Sequence, residues 1–200
     1  RALAVLLDPD APGQRQDAPH RLIWSCFAGD PARTRDFLWR TEGRGLFLTL
    51  SATPPASSPL FEPPEVKEYA PDLRVGDRLA FVLRANATRT EKTGARSANG
   101  KEQKRHIDLV MDALKPLPRE ERAGVRMKLA QQVAERWTAR QGERAGFEIV
   151  QVTAGDYSVA ALPDHRGRRQ GQPQFGILDL SGRLQVTDPA ALLPALARGF

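Results

Sequence analysis

The stretch DAPHRLIWSCF, residues 17–27, decides how the first half of the chain is interpreted. Its apolar residues recur at helical spacing, which predicts a helix over residues 19–27. Pro19 suits the first turn of such a helix, and Asp17 or Ala18 would then be its cap. The surrounding sequence must supply the strands against which this helix packs.

Strand patterns lie on both sides of the predicted helix. An apolar run precedes it, and two strand-like segments joined by a Glu42–Gly45 turn follow it. A proline-rich loop and a weak helical stretch at Glu65–Tyr69 lead to a fourth strand. The order strand, helix, strand, strand, weak helix, strand is the ferredoxin-like pattern, which many RNA-binding modules share. The predicted strands are Ala2–Leu7, Phe37–Arg40, Leu46–Ala52 and Arg78–Leu83.

The second half of the chain has a similar rhythm. Its longest helical pattern is Arg119–Gln141, and Asp188-Pro189 provides a cap and first-turn proline for a helix over Ala190–Arg198. A ferredoxin-like unit needs one more strand after that helix, so we expect the last strand to be missing from this sequence. The strands predicted between the two helices are Phe147–Val152, Tyr157–Leu162, Phe175–Leu180 and Arg183–Val186.

These patterns predict an α+β fold made of two tandem ferredoxin-like (RRM-like) domains. We assign residues 1–90 to the N-terminal domain and residues 91–106 to a basic loop or linker. Residues 107–200 then form the C-terminal domain, incomplete at its C-terminus.

Composition limits the class of protein. Among 200 residues, 30 Lys and Arg stand against 24 Asp and Glu, giving a net charge of +6 that suits an anionic partner. A single cysteine, Cys26, excludes an internal disulfide framework. No apolar run approaches the roughly 20 residues that span a bilayer. We therefore expect a cytoplasmic protein without a membrane partner, and a longer translated product because the sequence begins at Arg1.

The basic charge is concentrated between Arg84 and Arg105. This hairpin-like stretch holds seven Lys or Arg against two Glu, a local charge of +5. One interpretation is a solvated loop, and the other is a finger laid along an RNA helix. In the second case its cations would contact mostly phosphate and supply affinity rather than sequence reading.

Histidine is the natural proton carrier near neutral pH, because its ordinary pKa is about 6.5. His20 opens the predicted helix, where the dipole favours the neutral imidazole while Asp17 favours the imidazolium, and the sequence leaves that balance open. A packing role beside Trp24 is the alternative for His20. We interpret His106 as a solvated loop residue or an RNA contact, and His165 as a residue of a flexible loop. The carboxylates of Asp8-Pro9-Asp10 suit a turn, so we predict neither a metal site nor a cofactor.

Five motifs in order over almost the whole chain resemble the CasE family, the CRISPR RNA-processing endoribonucleases of type I-E systems. They are His20-Arg21 with Trp24 and Phe27; Asp30–Leu38; Arg84-Ala85-Asn86, with Ala87 in place of the family's proline; Gly100-Lys101 with Lys104-Arg105; and Val186–Pro189 with Leu192 and Arg198-Gly199.

The resemblance implies recognition of the CRISPR repeat stem-loop in a precursor RNA and metal-independent cleavage at the base of the stem. The products would carry a 5′-hydroxyl and a 2′,3′-cyclic phosphate, and the mature guide RNA would stay bound within Cascade, alongside its other subunits. Two departures stand out. Asp17 occupies the position of a family tyrosine, and the family's glycine-rich loop and last strand are not found after Gly199.

Motifs and charge together give the candidate site. We predict three catalytic residues, His20, Lys104 and Arg105. One alternative function is a non-catalytic RNA-hairpin-binding subunit of the same fold, and another is an unrelated basic ribonucleoprotein module in which His20 is incidental. The predicted RNA-binding residues are Arg21, Arg84, Asn86, Arg89, Lys92, Arg96 and Lys101.

Overall fold

The computed structural model describes residues 14–27, 36–96, 99–161 and 174–199. These residues fall into two compact units. The first contains the described residues within Arg1–Asp72 and Leu193–Phe200, and the second contains those within Leu73–Leu162 and Pro173–Leu192.

The first unit is built from a helix and a hairpin. Helix α1, Gln14–Trp24, continues into a short 3-10 turn, and strands β1 (Phe37–Gly43) and β2 (Leu46–Ser51) pair antiparallel. The predicted turn between these strands is confirmed, since Gly43, Arg44 and Gly45 all have positive φ, a region that glycine enters without strain. A small core of Ile23, Phe27 and Phe37 lies between helix and hairpin.

The second unit contains a three-stranded antiparallel sheet in the order β3-β7-β6. Its strands are β3 (Arg78–Ala85), β6 (Phe147–Ala161) and β7 (Gln174–Val186), and its long helix α3 spans Arg122–Ala145. Within this sheet, β3 comes first in the chain and pairs with β7, which comes last, and this pairing is the ferredoxin-like arrangement. The main core of this unit contains Trp137, Leu178 and Leu180.

A second hairpin is inserted between β3 and the long helix. Strands β4 (Thr88–Arg96) and β5 (Glu102–Asp108) pair antiparallel, and a short helix α2 (Leu109–Leu114) follows directly. We call residues 88–108 the basic hairpin. Its root is closed by a hydrogen bond from the amide of Leu109 to the carbonyl of Ala87, at 3.0 Å.

Helix α4 spans Pro189–Arg198. The predicted cap is confirmed, because the Asp188 side chain accepts hydrogen bonds from the amides of Ala190 and Ala191 at 2.9 and 3.2 Å. Within the described ranges, no helix combines the length and apolar character needed to cross a membrane.

The α+β class is confirmed, but several element boundaries were wrong. Helix α1 begins five residues before Pro19, which therefore lies inside the helix rather than in a capped first turn. No helix forms at 65–69. The four predicted C-terminal strands are two long strands, because bulges bend β6 without ending its pairing with β7. The strand expected at 2–7 lies outside the described residues.

The basic segment expected to be a loop is instead part of a regular β-hairpin. Strand β3, which the sequence order placed in the N-terminal domain, pairs with β7 in the second unit, from Arg78 opposite Gln185 to Ala85 opposite Leu178. Periodicity identified the strand but could not show which sheet it joins.

Candidate functional site

His20 lies in the middle of α1, against the aromatic core of the first unit. Its ring centroid is 6.0 Å from that of Trp24 and 6.3 Å from that of Phe37, and the two larger rings are 5.1 Å apart. The predicted packing against Trp24 is therefore present. Packing and chemistry use the same orientation of the ring, so the first does not exclude the second.

The Nε2 atom of His20 is buried and has no hydrogen-bond partner among the described residues. A buried polar atom without a partner costs about 1–3 kcal/mol, so native proteins rarely leave one unless it has another use. Ring packing against Trp24 and Phe37 holds this nitrogen in place. Because His20 lies beyond the first turn of α1, the expected influence of the helix dipole on it is weak.

The basic hairpin presents two different faces. Cross-strand partners share a face, and neighbours along a strand lie on opposite faces. Lys92 pairs with Lys104, whereas Glu91 pairs with Arg105. We call the first surface the Lys104 face and the second the Arg105 face. The adjacent residues Lys104 and Arg105 consequently point in opposite directions, and one phosphate lying on one face cannot contact both.

Carboxylates already neutralise part of the hairpin. Lys92 Nζ lies 3.1 Å from Glu102, and Arg89 Nη2 lies 2.9 Å from Glu91 and 3.1 Å from Asp112. All of these groups are partly exposed, and exposed ion pairs contribute only about 0–1 kcal/mol. Phosphate can replace such a carboxylate at little cost.

The two predicted catalytic cations differ from these neighbours. Neither Lys104 nor Arg105 makes an ion pair with another described residue, and both are exposed. Both side chains are therefore open to an anionic ligand. Arg96 and Lys101 are exposed toward the tip, and Arg21 is exposed on α1.

Arg84 lies on β3 rather than on the hairpin. Its guanidinium donates two hydrogen bonds to Asp179 on β7, from Nε to Oδ1 and from Nη2 to Oδ2, each 2.7 Å long. The hydrogen bonds from Arg84 lower the pKa of Asp179, and the same bonds raise the pKa of Arg84. This arginine is held against the sheet by a carboxylate, while Asn86 is exposed between β3 and β4.

The sequence analysis missed the group that anchors the root of the basic hairpin. Asp108 Oδ1 accepts from the amides of Val110 and Met111 at 2.9 Å each, and the Tyr157 hydroxyl donates to Oδ2 at 3.1 Å. Burial, followed by the charge of Asp108, raises the pKa of Tyr157. An aspartate directly before an apolar helix is a cap signal that could have identified Asp108, whereas the tyrosine is 49 residues away and gives no such signal.

A cluster of metal-ligating side chains does not occur in the part of the chain that the structure describes. Asp8, Asp10 and His165 lie outside that part. His20 belongs to the first unit, whereas Lys104 and Arg105 belong to the second.

Comparison with known proteins places this geometry in context. The sequence profile of a family described as "CRISPR associated protein" matches residues 4–200. No curated protein matches the chain significantly.

Solved structures share the fold. Cas6e from Escherichia coli K-12 is 19% identical, with a TM-score of 0.57, and the match covers 92% of this chain and 83% of that one. Cse3 from Thermus thermophilus, bound to an RNA representing a pre-cleavage complex, is 25% identical over 91% of this chain and 80% of that one, with a TM-score of 0.52. A CRISPR endoribonuclease Cse3 bound to a 19-nucleotide RNA is 23% identical over 97% and 87%, with a TM-score of 0.54.

The predicted fold and the family resemblance are both confirmed by these matches. The profile covers nearly the whole chain. The chain therefore belongs to the CRISPR-associated protein family, as a member of CasE type.

Proposed function

We propose that the protein is an endoribonuclease that cuts CRISPR precursor RNA at the base of the repeat stem-loop, without a metal ion. The observation that carries this proposal is the buried, unpartnered Nε2 of His20, fixed by packing against two aromatic rings. The structural likeness to RNA-bound Cse3 supports RNA as the substrate. The mature guide RNA would remain bound within the Cascade assembly.

The chemistry needs only groups that the chain and its substrate supply. The 2′-hydroxyl loses its proton and its oxygen attacks the adjacent phosphorus, while the bond from phosphorus to the 5′-oxygen breaks and that oxygen gains a proton. One product ends in a 2′,3′-cyclic phosphate and the other in a 5′-hydroxyl. His20 would carry one of these protons at Nε2, and its fixed orientation would hold the nitrogen ready without further ordering.

Charge builds up on the phosphoryl oxygens in the transition state, so a nearby cation accelerates the reaction. Lys104 and Arg105 make no ion pair with another described residue, but they lie on opposite faces of the basic hairpin. We assign the transition-state role to Lys104, because its direct cross-strand partner is a cation, Lys92, whereas that of Arg105 is the carboxylate of Glu91.

Binding of the stem-loop would use the exposed cations of the hairpin. Arg89, Lys92, Arg96 and Lys101 would contact phosphates, with Glu91 and Glu102 released from their ion pairs as phosphate replaces them. Arg84 would support the sheet beneath them rather than contact RNA directly, since its guanidinium is already engaged by Asp179.

The proposal is tested by incubating the protein with candidate repeat hairpins in excess EDTA and identifying the ends of the products. Cleavage at the base of the stem, giving a cyclic phosphate and a 5′-hydroxyl, is expected. Tight binding without cleavage would instead establish the non-catalytic RNA-binding subunit, which the replacement of the family tyrosine by Asp17 favours. Cleavage only with added magnesium would contradict the mechanism.

A further inference from the structure

An open cleft lies at the root of the basic hairpin, on the surface of the second unit. It is formed where the end of β5 meets α2 and the start of α3, and its volume is about 300 Å³. This is the lower end of the size range of small-molecule sites, with room for about one nucleotide. The residues that line it include Arg105, Ile107, Met111, Asp112, Lys115 and Arg122.

The carboxylates around this cleft are already satisfied. Asp112 lies 3.1 Å from Arg89, and the same guanidinium is 2.9 Å from Glu91, the cross-strand partner of Arg105. Asp108 accepts two helix amides and the Tyr157 hydroxyl. These contacts fix the three carboxylates in place, while their negative charges still offset part of the positive charge of the cleft.

The cations of the cleft lack carboxylate partners among the described residues. Arg105 and Lys115 have exposed side chains that make no ion pair there. Arg122 is held in place by carbonyl groups, with Nε 3.0 Å from the oxygen of Leu117 and Nη2 3.0 Å from that of Lys115. Two neutral acceptors fix this guanidinium without cancelling its charge, so it is preorganised for an anion.

The wall of the cleft also offers apolar surface. Met111 is 46% exposed although it is a large hydrophobic residue, whereas the neighbouring Ile107 is buried. His106 borders the cleft too, but its Nδ1 lies 3.1 Å from the Thr90 hydroxyl. A polarizable thioether beside fixed positive charge suits a ligand that has both a flat apolar part and a phosphate.

We propose that this cleft binds one phosphate group of an RNA strand, with the attached base lying against Met111. Arg105, Lys115 and Arg122 would contact the phosphate. The cleft lies on the Arg105 side of the basic hairpin, opposite the Lys104 face. The choice of RNA rests on the proposed function, whereas a free nucleotide or inorganic phosphate offers the same chemistry from another source.

Equilibrium binding to the full chain tests this without any cleavage. The probe is a fluorescently labelled single-stranded RNA tetramer that cannot form a stem, with inorganic phosphate and uridine monophosphate as competitors. The test variant is Arg105→Gln/Lys115→Gln. Lys128→Gln is the control, since it removes an exposed charge from α3 outside the cleft.

The double variant is expected to bind the tetramer at least about tenfold more weakly, because two charge-assisted contacts are lost. The control should stay within about threefold of the unmodified chain. Wild-type affinity in the double variant, or an equal loss in Lys128→Gln, would overturn the site. Displacement of the tetramer by uridine monophosphate at comparable concentration would retain the site but overturn RNA as its ligand. This assay measures binding only, so a protein without cleavage activity would give the same result. The proposed nuclease function and the proposed cleft can therefore fail independently.

Discussion

Arg84 on β3 and Asp179 on β7 are joined by two parallel hydrogen bonds, each 2.7 Å long, across the central pairing of the second sheet. The two residues are direct cross-strand partners in the ladder. Arg84 belongs to one of the motifs that resemble the CasE family, yet its guanidinium is already hydrogen-bonded to Asp179. We expect it to contribute to function by holding β3, and with it the start of the basic hairpin, in register.

This pair predicts a pH dependence of stability. The pKa of Asp179 is lowered in the folded protein, so its contribution is fully present above the unfolded value of about 3.9 and is lost as pH falls through the lowered value. Both side chains are more than a third exposed, so the ion pair should contribute no more than about 1 kcal/mol to the free energy of unfolding at neutral pH. Urea unfolding of the unmodified chain and Asp179→Asn should differ at pH 7 and converge near pH 2.

A difference between the two chains that grows as the pH falls would contradict this assignment. Arg84→Gln is the companion variant. It should lower stability by a similar amount and leave the salt dependence of RNA binding unchanged, because no phosphate contact is lost. A shallower salt dependence would show that Arg84 contacts RNA after all.

Gly176 is predicted to be essential for the root of the hairpin. A Cβ placed on it would collide with Asp108 Oδ2 and approach the Tyr157 hydroxyl to 2.7 Å. Gly176→Ala must therefore displace the carboxylate that caps α2, and we expect a loss of about 1–3 kcal/mol in the free energy of unfolding. Chemical denaturation measures this loss.

Gly155→Ala, on the adjacent strand, is the matched control. The nearest atom to its Cβ would be the Asp179 carbonyl oxygen at 3.7 Å, an ordinary contact, so its effect should be much smaller. Equal losses from the two substitutions would show that glycine is needed there for general reasons and not for the Asp108–Tyr157 contact.

The two faces of the hairpin predict separable kinetic effects. Lys104→Gln should lower the single-turnover cleavage rate even when the protein saturates the RNA, because a cation that stabilises the transition state acts beyond ground-state binding. Lys92→Gln should weaken binding and make its salt dependence shallower by about one unit or less. Titration at several salt concentrations, followed by rates at saturation, distinguishes the two.

Should Lys104→Gln cut at the wild-type rate once saturated, Lys104 is a binding residue only. If Arg105→Gln instead shows the lower saturated rate, the phosphate lies on the Arg105 face, and the proposed division of roles between these neighbours is reversed.

The chemistry also predicts the effect of a change in the RNA. Replacing the ribose at the scissile nucleotide by 2′-deoxyribose removes the nucleophile, so cleavage should stop while binding is retained. Product analysis by gel electrophoresis, with binding measured on the same RNA, checks both parts. Cutting of the deoxy substrate would require an external nucleophile and would redirect attention to metal-assisted chemistry.

The sequence predicted local structure better than long-range structure. The turn at 43–45 and the Asp188 cap followed from residues close together in the chain. The assignment of β3 to the first domain failed because its partner, β7, is about a hundred residues away, and periodicity carries no information on pairing.

In the candidate site, too, local features could be predicted from the sequence and long-range contacts could not. His20 could be singled out because histidine suits proton transfer, but its buried, unpartnered nitrogen depends on the ring of Phe37, which belongs to another element. The family motif groups Lys104 with Arg105, whereas strand geometry places them on opposite faces. The Asp108–Tyr157 contact could not be predicted, since nothing local connects the two residues.

The most direct test of the account is the single-turnover cleavage rate of His20→Ala on a repeat hairpin in excess EDTA, with hairpin affinity measured in parallel. His20→Gln is the companion variant, since it retains more of the side-chain volume beside Trp24 and Phe37. A proton-transfer group typically contributes about 10²–10⁴-fold in rate. We predict a loss of that size in both variants with affinity changed only a few-fold, and undiminished cutting by either variant would remove His20 from the mechanism.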